Sequence, residues 1–383
     1  MRKEEEKKGG DNRETDKISL EEFFQELSWR GLIANSANLE SFYQLRSNEK
    51  VVYLGIDCTS TSLHIGHLFL LLQSIRFIQK GFQFLLILGG ATSQIGDPSD
   101  KLKERPQLGS QEIENYEEKI KKQLVRVLGE APQIENLNFS PLEEFYGDSP
   151  ELLKKIYQTL KIEEKEEKNI QWKKYLSYIW PLKESNFQIL NNADWLKKLS
   201  FVDFINEVGR NISINYLLAK ETIKKRLETG LSYSAFSYSL LQAYDFYYLY
   251  QNYNCHGQLG GSDQWGNLTT GLKLIRSFYP ESKVFAFNFP LLTDKDGKKL
   301  SKSESGMKIL WLDSNQEEFY EFFRNMPDEQ AKVYLKQFTF LNENQINELI
   351  VLNNPSKLRI PQRVLYELIF LLNYRHYKLL REK

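Results

Sequence analysis

Two imidazoles and a knot of ammonium groups are the residues of this chain best equipped for chemistry on an anion. His64 and His67 stand three apart in Leu63-His64-Ile65-Gly66-His67-Leu68, between an apolar run ending at Ile56 and a helical stretch opening near Gly66. The amino end of a helix presents unpaired N–H groups and the positive end of the helix dipole, so phosphate binds well there. Gly66 lets backbone approach a purine ring closely, and the histidines add hydrogen-bond donors. Far downstream, Gly297-Lys298-Lys299-Leu300-Ser301-Lys302-Ser303 gathers three lysines and two hydroxyls in a loop that contains Gly and Asp. Such a loop is expected to move, and a mobile cationic loop suits a departing polyphosphate. Either feature alone is ordinary, because HxxH pairs and Lys-, Ser- and Gly-bearing loops are common on solvated surfaces.

A third constellation lies between them. Tyr238, Gln242 and Asp245 are spaced i, i+4, i+7 and so project from one face of a helix, either to read a small polar ligand or to make a buried polar network.

The elements that must position these residues are legible in part. Val51 to Ile56 is short, β-branched and nearly continuous in apolar character, as a parallel strand covered on both faces should be. A helix from about Gly66 to Lys80, closed by Gly81, and a second apolar strand from Phe82 to Leu88 complete a strand-helix-strand crossover. Such units build parallel sheets that bind ligands beyond the carboxyl ends of the strands, which draws attention to Gly55, Asp57 and the residues after Gly89 and Gly90. Ser19 and Glu22 have capping-box spacing, and Leu20, Phe23, Phe24 and Leu27 share a helical face that stops at Gly31. Helical periodicity returns near Phe201 and continues to Leu227, then from about Tyr233 to Tyr250, and past Trp311 only helices are expected.

At 383 residues the chain exceeds one ordinary core, so a large domain and a smaller one are expected. Fifty-one basic and 51 acidic side chains cancel, so any contact with RNA must be local. The two cysteines, Cys58 and Cys255, form no CxxC pair, which argues against a disulfide framework or structural zinc. No apolar run of about 18 residues occurs, and neither a membrane nor DNA is expected as a partner. Residues 1–18 mix both charges and read as a disordered extension, and about 130–188, rich in Glu, Lys and Asn, reads as an insert.

Taken together, the histidine and lysine segments resemble the paired HIGH and KMSKS signatures of class I aminoacyl-tRNA synthetases, with Leu300 in place of the Met. Tyr53 to Thr59, Gly89 to Ser99, Tyr238 to Phe246 and Gly260 to Asn267 resemble, more narrowly, the bacterial-type tyrosyl-tRNA synthetases, from about Ser19 to the end apart from the insert. The resemblance implies an α/β fold: a Rossmann-like, parallel-sheet nucleotide-binding catalytic domain over 19–310, followed by a smaller all-helical domain over 311–383. It implies L-tyrosine, ATP with Mg²⁺ and tRNA(Tyr) as partners, no prosthetic group, no metal held by the protein itself, and a homodimer. It also implies roles. Tyr53 and Asp245 would hold the substrate phenol; Asp97, Tyr238 and Gln242 its ammonium group; Asn192 and Gln264 would complete the pocket. Thr59 and His64 would meet the γ-phosphate, His67 and Asp263 the ribose region, and Gly55, Asp57 and Gly66 would border the nucleotide. Lys299, Lys302 and Ser303 would stabilise leaving pyrophosphate, as would Lys101 and Arg105 near the transition state.

Leu54, Cys58, Ser93 and Asp100 depart from the usual bacterial residues without removing a ligand-binding group. The small ribosomal-protein-like RNA-binding domain common at the end of such enzymes is not expected here. A synthetase-fold protein of reduced activity, serving as an RNA-binding, splicing or structural subunit, is therefore a second reading. The lysines of the insert either contact phosphate or are simply solvated. The insert and the Asn-, Lys- and Ile-rich composition point to a mitochondrion, with the cytoplasm of a bacterium as the alternative.

Overall fold

Strands that must be covered on both faces carry apolar residues at successive positions, and the centre of this protein is built from such strands. The computed structural model describes residues 19–99, 108–128, 149–160, 186–293, 300, 309–353 and 358–374. The elements, in order, are α1 (19–29), β1 (Asn35–Ala37), α2 (Leu39–Tyr43), β2 (Val51–Ile56), α3 (Ile65–Gln79), β3 (Gln83–Leu88), α4 (Thr92–Ile95), α5 (Ser110–Leu128) and α6 (Pro150–Thr159). There follow β4 (Phe187–Asn191), α7 (Ala193–Leu196), α8 (Phe201–Phe204), α9 (Ile214–Leu218), α10 (Glu221–Thr229), α11 (Tyr233–Tyr253), β5 (Gly257–Gly261), α12 (Trp265–Phe278) and β6 (Phe285–Phe289). Helices α13 (Gln316–Arg324), α14 (Asp328–Phe338), α15 (Glu343–Leu352) and α16 (Ile360–Tyr374) complete the described chain. By contacts these residues divide into two compact units, one within 1–61, 73–122 and 185–291, the other within 62–72, 123–184 and 292–383.

In the first unit six strands form one sheet in the order β1-β6-β5-β2-β3-β4, parallel throughout except for the β1–β6 edge. The chain winds outward from β2 through β3 to β4, then returns to the other side of β2 with β5 and β6. The order reverses between β2 and β5, and in sheets of this kind ligands bind beyond the carboxyl ends of the strands at such a reversal. Tyr53 pairs in register with Leu85 on one side and Gln258 on the other. Its face of the sheet packs on α11 and α12 through Phe246, Leu268 and Leu272. The opposite face is aromatic, with Phe42 5.0 Å from Phe285 and 4.9 Å from Phe287, and Phe77 5.2 Å from Phe82.

Residues Gly257-Gln-Leu-Gly-Gly of β5 have none of the β-branched side chains that advertise a strand. Packing explains the composition: a Cβ at Gly257 would run into Phe285 and Val52, and one at Gly260 would meet Gln264 at 3.1 Å. Strand β4 begins at Phe187, so residues 187 and 188 of the stretch read as an insert belong to the sheet. The periodic stretch from Phe201 to Leu227 is broken into α8, a π turn over Ile205–Gly209, α9 and α10. Phe201, Val202, Ile214 and Leu227 are exposed in it, so its apolar periodicity does not mark a single core-facing helix.

The second unit buries Phe319, Phe323, Met326, Leu335, Phe338, Leu365 and Ile369 among its helices. Its carboxyl-terminal part begins at 292 rather than the 311 read from the sequence, and it takes in 62–72, where Phe69 meets Phe338 at 5.5 Å. Arg359, with the positive φ of 56°, donates to Asp328 at 3.0 Å and to the Met326 carbonyl at 2.6 Å, tying the starts of α14 and α16 together.

Candidate active site

Four strand ends and helix α11 contribute polar groups to the first unit. Asp57 follows β2, Gly89 and Gly90 follow β3, Asn192 follows β4, Gln264 follows β5, and α11 contributes Tyr238 and Asp245. Asp245 is buried, and both its oxygens are used: Oδ1 accepts from Trp195 Nε1 at 2.7 Å and Oδ2 from Asn192 Nδ2 at 3.0 Å. Asn192 Nδ2 also donates to Thr92 Oγ1 at 3.0 Å, and Thr92 donates to Asp57 Oδ1 at 2.9 Å. The other Asp57 oxygen accepts from the Tyr238 hydroxyl at 2.9 Å. Two carboxylates are thus joined by an amide and a hydroxyl. A Cβ at Gly89 would collide with the Asp57 carboxylate and with Thr92 Oγ1, which is why a glycine stands there.

Burial pushes the Asp245 carboxyl up to about 7; the hydrogen bonds from Asn192 and Trp195 pull the other way, and the charge of Asp57 adds to the rise. Next to it the Tyr53 hydroxyl is buried with no hydrogen-bond partner. Burial, then the nearby charge of Asp245, holds that phenol well above its ordinary pKa, so it is a neutral donor. Unpaired buried hydroxyls are uncommon because each costs about 1–3 kcal/mol. Tyr238 is likewise raised well above its ordinary value, by burial first and then by Asp57 and Asp97.

A second polar group lies beyond α4. Asp97 accepts from Gln264 Nε2 at 2.6 Å and from the Ser99 N–H at 2.9 Å. Asn267 donates to Gln264 Oε1 at 3.0 Å and to Ser99 Oγ at 3.2 Å. Lys220 anchors the same segment by donating to the Gly266 carbonyl and, at 2.6 Å, to Thr270 Oγ1; burial and Lys273 push its ammonium down to about 8.

Of the residues read from the sequence, Asp57, Asp97, Asn192, Tyr238, Asp245 and Gln264 enter these hydrogen bonds, and Tyr53 lies beside Asp245 without joining them. Gln242 lies on α11 between Tyr238 and Asp245, half-buried, and takes no part in the hydrogen bonds just described. Gly55 is the exposed position of β2, Thr59 is half-buried in the loop after it, and a Cβ at Gly261 would approach Asp263 Oδ1 at 2.6 Å. Lys101, Arg105, Lys299, Lys302 and Ser303 lie outside the described residues. Thr92, Trp195, Asn267 and Lys220 received no role from the sequence. Trp195 had a usable signal, standing one helical turn after Asn192.

In the second unit His64 and His67 stack at 3.8 Å, half-buried. His67 Nδ1 accepts from the His64 N–H at 3.1 Å, and His64 Nδ1 accepts from the Gly66 N–H at 3.1 Å. With both Nδ1 atoms acting as acceptors, each neutral ring carries its proton on Nε2, the nitrogen farther from the backbone. A Cβ at Gly66 would come within 2.9 Å of the His64 ring. Among the described residues no group of three or more His, Cys, Asp or Glu side chains could hold a metal, and no helix is long and apolar enough to cross a membrane.

A family profile described as tRNA synthetases class I (W and Y) matches residues 46–135 and 149–372, leaving only 136–148 unmatched inside the stretch read as an insert. The chain is 38% identical over 328 residues to the tyrosine–tRNA ligase of Geobacillus stearothermophilus, and 38% over 329 residues to tyrosine–tRNA ligase 1 of Bacillus cereus. Each alignment covers 85% of this chain and 66%, just under two thirds, of the relative. The fold is similar to a C-terminally truncated Aspergillus nidulans mitochondrial tyrosyl-tRNA synthetase, with a TM-score of 0.69, 24% identity and coverage of 97% and 99% of the two chains. It is also similar to an Archaeoglobus fulgidus tyrosyl-tRNA synthetase complexed with L-tyrosine, with a TM-score of 0.58, 15% identity and coverage of 93% and 98%.

Proposed function

The chain belongs to the class I tRNA synthetases of the tryptophan and tyrosine group, and on that premise we propose that it activates L-tyrosine with ATP and transfers the tyrosyl group to tRNA(Tyr). The observation that carries tyrosine as the substrate is the unpaired, buried hydroxyl of Tyr53 beside the buried carboxylate of Asp245. A substrate phenol is both donor and acceptor, so it can give its proton toward Asp245 and accept from Tyr53. Phenylalanine would leave the buried Tyr53 hydroxyl unanswered and bring Asp245 no donor beyond Trp195 and Asn192. Rejection on the order of 10⁴ to 10⁵ goes with such a pocket, tyrosine-specific synthetases being the very case that supplies the figure.

Asp97, Tyr238 and Gln242 are assigned to the substrate ammonium group, with Asn192 and Gln264 completing the pocket. The tyrosine carboxylate attacks the α-phosphorus of ATP, the bond to the β-phosphate oxygen breaks, and pyrophosphate leaves. No protein nucleophile or general base is required, so these side chains act by positioning and by charge. His64 and His67, with Nε2–H as donor, are assigned with Thr59, Asp263, Gly55, Asp57 and Gly66 to the nucleotide. Lys101, Arg105, Lys299, Lys302 and Ser303 are assigned to the departing pyrophosphate. Mg²⁺ accompanies ATP and neutralises phosphate charge. A tRNA ribose hydroxyl then attacks the adenylate carbonyl and AMP departs.

A second copy of the chain is the proposed occupant of an apolar groove in the first unit lined by Ile95, Leu196, Phe201, Phe204, Tyr233 and Leu241. Phe201 and Tyr233 are 70% and 66% exposed, so the same patch offers both knobs and groove, as a two-fold interface requires. Sedimentation should show a dimer that Phe201→Glu dissociates; a wild-type monomer sinks this part. A mitochondrion is the proposed compartment, on bacterial-type motifs combined with the insert, the amino-terminal extension and the Asn-, Lys- and Ile-rich composition. Fractionation of source cells tests it.

Tyrosine-dependent exchange of labelled pyrophosphate into ATP tests the first step without tRNA. Clear exchange with tyrosine and none with phenylalanine is expected. Absence of exchange, or equal exchange with both, overturns the assignment.

A further inference from the structure

Gln123, on α5, reaches the turn that carries His64 and His67 from 60 residues further along the chain. Its Oε1 accepts from the Leu63 N–H at 2.8 Å, and its Nε2 donates to Ser62 Oγ at 3.1 Å. Ser62 in turn donates to the Leu63 carbonyl at 3.0 Å. Ser62 and Leu63 are buried, so the Leu63 N–H cannot turn to water, and a buried backbone donor must find an acceptor inside the protein. The other flank of the turn is held by backbone: the Leu312 N–H donates to the Leu63 carbonyl and the Ile65 N–H to the Leu310 carbonyl, each at 2.8 Å, with His64 paired to Trp311 between them. The turn is therefore gripped by main chain on one side and by the Gln123 side chain on the other.

We propose that Gln123 is a positioning residue for the His64–His67 pair, fixing through Ser62 and Leu63 the angle at which the start of α3 presents both imidazoles to ATP. This rests on the assignment of the two histidines to the nucleotide. Gln123 touches neither ring. It acts on the backbone immediately before His64, where both Nδ1 atoms accept main-chain N–H bonds, so a tilt of that backbone moves both rings together. Misplacement of a substrate-holding group by about 1 Å is enough to cost on the order of 10²-fold in rate. A glutamine meets the need because it offers an acceptor to Leu63 and a donor to Ser62 at once; a glutamate keeps the acceptor and can take the Ser62 proton instead, whereas a methionine of similar length offers neither.

The full-length chain is compared with Gln123→Met, Gln123→Glu and, as a surface control, Lys122→Ala, whose exposed ion pair to Glu118 contributes little. Tyrosine-dependent pyrophosphate exchange is measured against both substrates, and imidazole nitrogen signals are followed by NMR. In Gln123→Met the KM for ATP should rise about tenfold while that for tyrosine stays within about twofold; Gln123→Glu should recover most of the loss. The His64 and His67 signals should shift in Gln123→Met while that of His256 stays. An unchanged KM for ATP in Gln123→Met, or equal losses for both substrates with no rescue by Gln123→Glu, overturns the proposal. Should the wild type fail to exchange at all, the function is wrong. The histidine signals then still decide the positioning claim, since an unmoved pair refutes it.

Discussion

Asp245→Asn should make the ligand-free protein more stable at alkaline pH while removing its use for tyrosine. The carboxyl is pushed from its ordinary 3.8 up to about 7, chiefly by burial. That gap, at about 1.4 kcal/mol for each tenfold in proton affinity, is worth about 4 kcal/mol. A carboxyl whose pKa is higher in the folded than in the unfolded chain binds its proton more tightly in the fold. The wild type therefore has this stability in full below about pH 4 and loses it as pH rises to about 7. Asparagine does not titrate. It keeps an acceptor for Trp195 but sets an amide against the Asn192 donor, a loss of about 1–2 kcal/mol. The variant should then match the wild type near pH 5 and exceed it by about 2–3 kcal/mol at pH 8. Urea unfolding at the two pH values, without tyrosine, reads the difference directly. With tyrosine at a hundred times its Kd the wild type should gain about 2.7 kcal/mol and the variant almost nothing. A variant less stable than wild type at pH 8, or a difference that ignores pH, would refute the view that burial strains this carboxylate in readiness for a phenol.

Tyr53→Phe removes a hydroxyl that has no partner in the free protein, so unfolding should show unchanged stability or a gain of about 1 kcal/mol, while the KM for tyrosine in pyrophosphate exchange rises about tenfold. A clear loss of stability would mean the hydroxyl already has a structural role. Gly89→Ala drives a methyl into the Asp57 carboxylate and Thr92, and should cost about 1–3 kcal/mol by thermal unfolding and weaken tyrosine binding; calorimetric titration showing normal affinity would separate Asp57 from the pocket. Lys302→Ala should lower exchange at least about 10²-fold yet leave tyrosine affinity, read by fluorescence titration, unchanged. A parallel fall in affinity would count against a role confined to pyrophosphate.

Much of the site was legible because one element carried it. Val51–Ile56, Ile65–Gln79 and Gln83–Leu88 fall within a residue or two of where apolar runs and Gly81 put them, because continuous burial and 3.6-residue periodicity are local properties of the chain. The spacing of Tyr238 and Asp245 on one helix was readable for the same reason. Strand β5 was not, since its glycines answer to Phe285, Val52 and Gln264, which no short window contains. Nor could spacing reveal that Trp195 and Asn192 converge on Asp245, that Thr92 links Asn192 to Asp57, or that Gln123 holds the Leu63 N–H. Those bonds join residues 35 to 100 positions apart and depend on which elements the fold sets side by side. The sequence by itself determined which chemical groups exist and which share a face. Tertiary structure alone decided which of them lose water and which find partners, and desolvation is what separates an ordinary aspartate from one held near pH 7 beside an unanswered phenol.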